Sequence, residues 1–392
     1  MNTDLFIEML NIDSTSGRER RFADFLAGRL QTTSCRVDRY DVESMAGESP
    51  DGIGCPQNLL FSWGEPKVLF CTHLDTVPPY IAPTLSTCHC ENYEESCRSE
   101  AEGSGNLPKV ISGRGTCDAK GQIFSMYEAC LELERRGYDG FGLLLLAGEE
   151  TGSFGAKAFR NAHPGAEWVV VGEPTDNHMA TAAKGTKSFE VTFTGEAFHS
   201  GYPQYGLSAV LMFNDFVNAL RSIGFPQDDI LGDTTWNIGK LSSDNPQNIL
   251  SDKLTCRVYF RTTFESDEMV CNIMKNIAGP DARLRFGRPK VQDGSDIVAK
   301  DVAPWQKAMS VVAFGGDSPT KFEVLEGFPC KPVAFGSDAP QLTNCPRKIL
   351  CGPGSILVAH RDNENITLAD LELAAGNYVK IYEQLSNVSI KG

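Results

Sequence analysis

The chain has 392 residues, of which 41% are hydrophobic and 22% charged, a composition typical of a folded protein long enough for two domains. Its formal net charge of -15 argues against nucleic acid or an anionic membrane surface as a partner. The 13 cysteines are odd in number and the N-terminus is acidic rather than basic and then apolar. We therefore expect free thiols, a cytoplasmic location and no secretory signal.

The first strand that leads to polar side chains is predicted at 68–71. Helices with a break are predicted over 1–30, and strands are predicted around 36–42 and 58–63. The apolar run at 68–71 then predicts a buried strand, followed by His73 and Asp75. Ligands of open α/β sheets bind beyond the carboxyl ends of the strands. Residues two apart on an extended segment point to the same side, so Asp75 is placed to orient His73 as a metal ligand.

A polar stretch interrupts the pattern at residues 84–109. It contains Cys88, His89, Cys90 and Cys97. Their spacing is not the paired C-x-x-C of known zinc modules, so a solvated loop insertion is the favoured interpretation. A small structural zinc site is the alternative.

More carboxylates follow predicted secondary structure further along the chain. Asp118 lies at the turn before a predicted helix, 122–136, and we count it, like the other candidates, as following a strand of the same doubly wound sheet. The glycines ahead of it lack the last glycine of the dinucleotide-binding fingerprint, so a dinucleotide site is rejected. The apolar strand predicted at 141–147, too short to span a bilayer, leads to Glu149 and Glu150. A strand at 168–171 leads to Glu173. Adjacent carboxylates at a buried strand end need a neutralising positive charge, and strands that alternate with helices predict a doubly wound α/β sheet.

The pattern changes from about residue 180. Strands are predicted at 187–194, 234–241, 253–263 and 282–287, with helices at 207–223 and 266–277. The order β-α-β-β-α-β is that of the ferredoxin-like unit. We therefore predict an inserted domain at 180–291 within a first domain made of 1–179 and 292–392. The first domain resumes with a helix at 304–314, a segment around 332–335 and a glycine-rich stretch that ends at His360, and it closes with a helix at 368–385.

Mixed histidine and carboxylate side chains at open positions suit zinc, with cobalt or manganese as alternatives. The candidates are His73, Asp75, Asp118, Glu149, Glu150, Glu173, His199 and His360. Three carboxylates and two neutral imidazoles around two divalent cations leave a net charge of about +1, which suits a bridging hydroxide. Because Glu149 and Glu150 are adjacent, one is free to be a ligand and the other a base.

The motifs HLDTVP, GRGTCDAKG, AGEETGS, GEPT and FHSGYP, together with His360, resemble a family of dinuclear zinc enzymes. The family includes aminoacylases, acetylornithine deacetylase, succinyl-diaminopimelate desuccinylase and carboxypeptidase G. The resemblance covers essentially the whole chain in the family's order. It implies a zinc-peptidase-like doubly wound α/β sheet with an inserted ferredoxin-like α+β lid that mediates dimerisation.

The resemblance also implies a role for each site residue. Two Zn²⁺ ions would be bridged by Asp118, with His73 and Glu173 completing one site and Glu150 and His360 the other. The residues implied in the reaction are Asp75, which would orient His73, Glu149 as general base and His199 as oxyanion donor, often across a dimer. Substrate-binding positions match Asn248, Arg261, Gly354 and Ser355. The Asp118-Ala119 peptide is expected to be cis.

The implied function is a metal-dependent amide hydrolase that removes the acyl group from an N-acyl amino acid, as acetylornithine deacetylase does in amino-acid biosynthesis. A metal-bridging hydroxide would attack, with Glu149 as base. Alternatives are an exopeptidase, dipeptidase or carboxypeptidase with the same dinuclear site, a succinyl-diaminopimelate desuccinylase, or a non-catalytic binding protein on this fold. The expected partners are a small N-acyl amino acid or short peptide and a second copy of the chain. The helix at 207–223 is more apolar than one sheet face needs, which favours a homodimer, although the excess would also pack within its own domain.

Overall fold

A computed structural model describes residues 1–43, 52, 54–87, 109–284 and 303–389. Cys88, His89, Cys90 and Cys97 lie outside the described residues, so the proposed loop or zinc site there stays a prediction. The chain forms two compact units. The first contains Met1–Thr181, Phe322–Lys331 and Ser337–Gly392, and the second contains Ala182–Lys321 and Pro332–Gly336.

The helices and strands are named here in chain order. The described helices are α1 (Thr3–Leu10), α2 (Glu19–Arg29), α3 (Lys120–Arg135), α4 (Phe154–Ala162), α5 (Ala209–Arg221), α6 (Asp267–Asn276), α7 (Pro304–Lys307) and α8 (Leu368–Ser389). The described strands are β1 (Arg36–Asp41), β2 (Gln57–Trp63), β3 (Val68–His73), β4 (Thr84–Thr87), β5 (Lys109–Ser112), β6 (Phe141–Leu146), β7 (Trp168–Val171), β8 (Met179–Ala183), β9 (Gly185–Thr194), β10 (Thr235–Ser242), β11 (Lys253–Thr262), β12 (Met309–Ala313), β13 (Thr320–Lys321), β14 (Cys330–Val333), β15 (Arg347–Leu350) and β16 (Asn365–Thr367). Among the described residues, no helix combines the length and apolar character needed to cross a lipid bilayer.

The first unit is built on a six-stranded sheet of order β1-β2-β6-β3-β7-β15. Strand β3 runs parallel to β6 and to β7, and β7 runs parallel to β15, whereas β1 and β2 are antiparallel additions. Strands β3, β6 and β7 are buried along their whole length, which explains their unbroken apolar sequences. Their carboxyl ends therefore meet at one edge of the sheet, where His73, Glu149, Glu150 and Glu173 follow.

Asp118 reaches that edge from a different sheet. The sequence pattern placed it after a strand of the main sheet, but β5 belongs to a separate three-stranded sheet of order β16-β5-β4. Helix α3 begins directly after the Asp118 turn and packs against α8, with Ser125 Oγ donating to the carbonyl of Leu371 over 3.2 Å. The packing of α3 thus fixes where Asp118 lies.

The second unit is a four-stranded antiparallel sheet of order β10-β11-β9-β12, with α5 and α6 packed on one face. Alternate residues of β9 are buried, including Phe189 and Phe193. This is the predicted β-α-β-β-α-β order, but its last strand is β12 rather than 282–287. The described residues 282–284 form no strand, and the remainder of that prediction lies outside the described residues.

The prediction of a helix over 304–314 is wrong because most of this segment forms a strand of the second unit. Only Pro304–Lys307 is helical, and the chain then becomes extended as β12. Met309 pairs with Phe193 and Val311 with Val191, so pairing with β9 decides the conformation of this segment. The second unit consequently continues beyond residue 291, where the inserted domain was predicted to end.

Candidate metal centre

His73 ends β3 and is buried, with its ring held between two acidic residues. Its Nδ1 lies 2.9 Å from the backbone oxygen of Asp75, and its Nε2 lies 3.0 Å from Oδ1 of Asp118. Donation from Nδ1 to the carbonyl leaves Nε2 as the nitrogen available to a metal. Burial lowers the pKa of His73, but the carboxylates of Asp118 and Asp75 outweigh burial and raise it well above the ordinary value.

Asp75 is fully buried, and it holds other parts of the site in addition to the ring of His73. Its Oδ1 accepts the backbone N–H of Glu149 over 3.0 Å, and its Oδ2 accepts the N–H of Glu150 over 3.2 Å. Ser16 Oγ donates to Oδ2 over 2.8 Å. Oδ1 also lies 3.5 Å from Nδ1 of His73. One carboxylate therefore holds the turn that carries both glutamates and faces the first histidine.

Asp118 faces a histidine with each of its carboxylate oxygens. Its Oδ2 lies 3.1 Å from Nε2 of His360, opposite the contact between Oδ1 and His73. The same His360 nitrogen lies 2.9 Å from Oε1 of Glu150. This is the arrangement expected of a carboxylate shared between two metal sites. The Asp118-Ala119 peptide is cis, as the resemblance implied.

The electrostatics of the cluster favour a bound cation. Burial raises the pKa of Glu149 and of Glu173 well above the usual range, and nearby carboxylates raise both further. Burial also raises the pKa of Glu150. Ligand atoms of His73, Asp118 and Glu150 lie within 4.8 Å of one another. A divalent metal among them would supply the charge that these acids lack, so the residues fit a metal centre.

Gly354 and Ser355 lie beside the Asp118 turn in the first unit. Gly354 has a φ of +76°, and a Cβ built on it would lie 2.6 Å from the Cβ of Cys117. Ser355 forms an isolated bridge with Thr175. Only glycine fits this close approach, so the glycine-rich stretch places His360 by backbone packing. A role of these two residues in substrate binding stays a prediction.

Three other predicted residues belong to the second unit. His199 is exposed, its Nδ1 accepts the N–H of Gly201 over 3.1 Å, and its backbone bridges Ile249. The N–H of Ser200 donates to the carbonyl of Asn248 over 2.9 Å, so the loops that carry His199 and Asn248 are paired. Arg261, on β11, stacks over the ring of Tyr259 at 5.0 Å. The structure leaves their roles as predictions.

Sequence reasoning missed three buried acids near the site. Glu364 accepts hydrogen bonds from the backbone N–H groups of Cys117 and Asp118. Asp338 is buried, and its charge helps to raise the pKa of Glu149 and of Glu173. Glu19 is fully buried, and burial together with the charge of Asp75 raises its pKa to about 8. In the sequence, Glu19 lies three residues after Ser16, a spacing typical of a helix start, and Asp338 lies in the turn-like stretch FGSDAP. Glu364 follows shortly after His360, so none of the three acids stands at a predicted strand end.

Comparisons with known proteins agree with this geometry. Residues 69–384 match the model of peptidase family M20/M25/M40. A probable carboxypeptidase of Aspergillus niger is 31% identical over 400 residues, which cover 96% of this chain and 88% of that protein.

Solved structures share the fold. A tripeptidase of Staphylococcus aureus has a TM-score of 0.70 at 18% identity and covers 97% of this chain and 96% of its own. A metallo-carboxypeptidase of Sulfolobus solfataricus has a TM-score of 0.63 at 13% identity and covers 96% of this chain and 97% of its own. The predicted zinc-peptidase-like α/β fold with an inserted lid is thereby confirmed. The chain belongs to peptidase family M20/M25/M40 and is a metal-dependent hydrolase of amide bonds.

Proposed function

We propose that the chain is a dinuclear zinc exopeptidase of the carboxypeptidase type, which cleaves the amide bond before a C-terminal amino acid. The observation that carries the proposal is the pair of histidines that face opposite oxygens of Asp118 at a strand-end edge rich in buried carboxylates. The name of the Aspergillus relative supports this substrate class over the deacylase that the motifs first suggested.

We assign two metal positions around Asp118. Asp118 would bridge the ions, His73 and Glu173 would hold one, and Glu150 and His360 the other. Zinc suits this nitrogen and oxygen donor set, with Co²⁺ or Mn²⁺ as substitutes. When bound, the ions supply a polarised substrate carbonyl and a more acidic water molecule.

The protein's own groups move the protons in this proposal. Glu149 follows a buried strand, and Asp75 holds its backbone, so the turn that carries it is fixed. It accepts a proton from the attacking water and returns it to the departing amine. His199 donates an N–H to the developing oxyanion, and Arg261 binds the substrate carboxylate through its planar guanidinium.

The second candidate substrate is an N-acyl amino acid, such as N-acetylornithine. It shares with a C-terminal dipeptide unit both the scissile amide and the adjacent free carboxylate. The motifs that resemble deacylases favour this candidate. The peptide and the N-acyl amino acid differ in the group on the acyl side of the scissile amide. The five residues assigned to the metals are not assigned to bind that group.

We also retain a cytoplasmic homodimer assembled through the second unit. Helix α5 buries Met212, Phe216 and Leu220 but leaves Val210 41% and Leu211 63% exposed. Two exposed apolar side chains on one turn suit contact with a second copy. Leu211→Glu should yield monomers in sedimentation, and an unchanged association state would refute this assignment. Val324→Glu, at an exposed apolar position of the first unit, is the matched control.

A substrate panel with metal analysis tests the proposed function. Purified protein is loaded with Zn²⁺ and assayed on four kinds of substrate. These are dipeptides and tripeptides with a free C-terminus, N-blocked peptides, N-acetyl amino acids and N-succinyl diaminopimelate. We expect about two zinc ions per chain and the highest kcat/KM on peptides with a free C-terminus. Preference for N-acetyl amino acids would select the deacylase. Zinc binding without turnover of any member would favour a binding protein.

A further inference from the structure

Glu364 is a fully buried acid that binds the backbone beside the shared metal ligand. Its Oε1 accepts the N–H of Cys117 and the N–H of Asp118, each over 3.1 Å. Its other oxygen, Oε2, accepts Nη1 of Arg114 over 2.8 Å. The side chains of Glu364 and Arg114 are 0% and 1% exposed. Every oxygen of this carboxylate therefore has a donor in the Asp118 loop.

Arg114 extends the contact to the segment after His360. Besides Glu364, its Nη1 donates to the carbonyl of Arg361 over 3.2 Å, and its Nε donates to the carbonyl of Pro79 over 3.3 Å. The backbone follows the same route, since the N–H of Gly113 donates to the carbonyl of Glu364 over 2.9 Å. Two loops are thus joined, one that carries Asp118 and one that carries His360.

Both oxygens of the Glu364 carboxylate already accept hydrogen bonds from this loop, so we assign the pair to positioning rather than to proton transfer. Buried backbone N–H groups next to a carboxylate ligand fix its direction if they are themselves held. The Glu364 carboxylate holds the N–H groups of Cys117 and Asp118, while Arg114 neutralises its charge. Asp75 supports the other histidine, His73, whose Nδ1 lies 2.9 Å from its backbone oxygen.

We propose that Glu364, paired with Arg114, is a positioning residue that sets the distance between Asp118 and His360 and thereby the affinity of the metal position they share. The inference rests on the proposed assignment of Asp118 and His360 as ligands. Glu364 acts through Asp118 and the loop that follows His360, whereas Asp75 acts through His73 and the turn that carries Glu149 and Glu150.

The test measures metal binding apart from turnover. Zinc titration against a chromophoric chelator gives two dissociation constants for wild type and for Glu364→Gln. Glutamine keeps the shape but turns an N–H₂ toward Arg114. Because His360 is 49% exposed, we expect its position to bind zinc more weakly than that of His73. In Glu364→Gln this weaker zinc should lose affinity by ~10–100-fold and the tighter one should change less, while kcat at saturating zinc falls with little change in KM. Asp75→Asn, which disturbs His73 and the turn that carries Glu150, should weaken both zinc ions.

The matched control is Glu323→Gln. Glu323 pairs with Arg347 of β15 in the first unit, and this Arg–Glu pair is partly exposed. This substitution should leave both zinc affinities unchanged.

If Glu364→Gln fails to fold, Arg114→Lys replaces it, because lysine keeps the charge but not the fork of contacts. Unchanged zinc affinities in a folded variant, or loss of fold in both variants, would overturn the proposal in favour of a purely structural pair. A wild-type protein that binds two zinc ions but cleaves no panel member would refute the proposed function and still decide the role of Glu364.

Discussion

Ser16 donates a hydrogen bond from Oγ to Oδ2 of Asp75 over 2.8 Å, across 59 residues of sequence. The spacing of Ser16 and Glu19 suggests a helix cap, but the structure uses the hydroxyl on Asp75, and the N-cap of α2 is Arg18 without a side-chain bond. The N-terminal segment therefore contributes directly to the order of the metal centre.

Asp75→Asn should weaken metal binding and turnover by ~10–100-fold, as is usual when the partner of a metal-binding histidine is changed. The amide would offer one acceptor where Asp75 serves three donors. Zinc titration and kcat measure the effect. Ser16→Ala removes a single donor and should have a smaller effect in the same direction. Equal effects of the two substitutions would show that Ser16, rather than the carboxylate charge, holds the turn.

Glu149→Ala should lower kcat by ~10²–10⁴-fold while two zinc ions remain bound, since general bases contribute in this range. Glu150→Ala is the neighbouring control, and it should release a zinc equivalent because Glu150 lies 2.9 Å from His360. Elemental analysis after desalting, together with kcat, separates the two. Near-native turnover of Glu149→Ala would show that another group accepts the proton.

Metal binding should strengthen as pH rises. In the metal-free protein, hydrogen bonds to Asp118 and Glu150 raise the pKa of His360 from its ordinary value to about 10. A proton on Nε2 competes with the metal, so below that pKa each ion bound at this position displaces a proton. We expect zinc affinity to rise by up to ~10-fold per pH unit between about pH 6 and 9, with proton release into weakly buffered solution. His360→Ala should remove most of that release, and an affinity independent of pH would contradict the assignment.

The stability of the metal-free protein should fall between pH 4.5 and about 8 through Glu19, whose pKa is raised from 4.5 to about 8. The folded state binds the proton of Glu19 more tightly than the unfolded state does. The free energy of unfolding therefore decreases as pH rises through this window and levels off above it. Glu19→Gln cannot ionise and should flatten that part of the curve. Denaturant unfolding at several pH values in a chelator tests this, with Glu8→Gln, an exposed position on α1, as control. Identical slopes for wild type and Glu19→Gln would refute it.

The main sheet was predictable because its central strands are buried on both faces. The apolar runs that became β3, β6 and β7 leave little alternative to a parallel core, and the polar residues after them then meet at one edge. The predicted ligands from these three strands lie together for that reason. Short strands such as β15 and β16 carry too few residues to show a pattern.

Other features depend on pairings between distant residues. The segment at 309–313 has apolar residues at helical spacing after Trp305, yet it pairs with β9 as the fourth strand of its sheet. Asp118 was predicted at a strand end of the main sheet, but its strand pairs with β16, which lies more than 250 residues later. Glu364 gives no local signal, since its partners in the Asp118 loop are 246 and 247 residues away.

The two histidines of the cluster differ in access to solvent. The side chain of His73 is 2% exposed, whereas that of His360 is 49% exposed. An ion held by His360 would meet water and competing chelators directly, while one held by His73 would leave only after the turn around Asp75 opens. We therefore expect stepwise demetallation, with a fast and a slow phase. Brief chelation should yield a half-loaded enzyme in which the remaining ion belongs to His73, and this form would accept a different metal at the emptied position to give a mixed-metal pair.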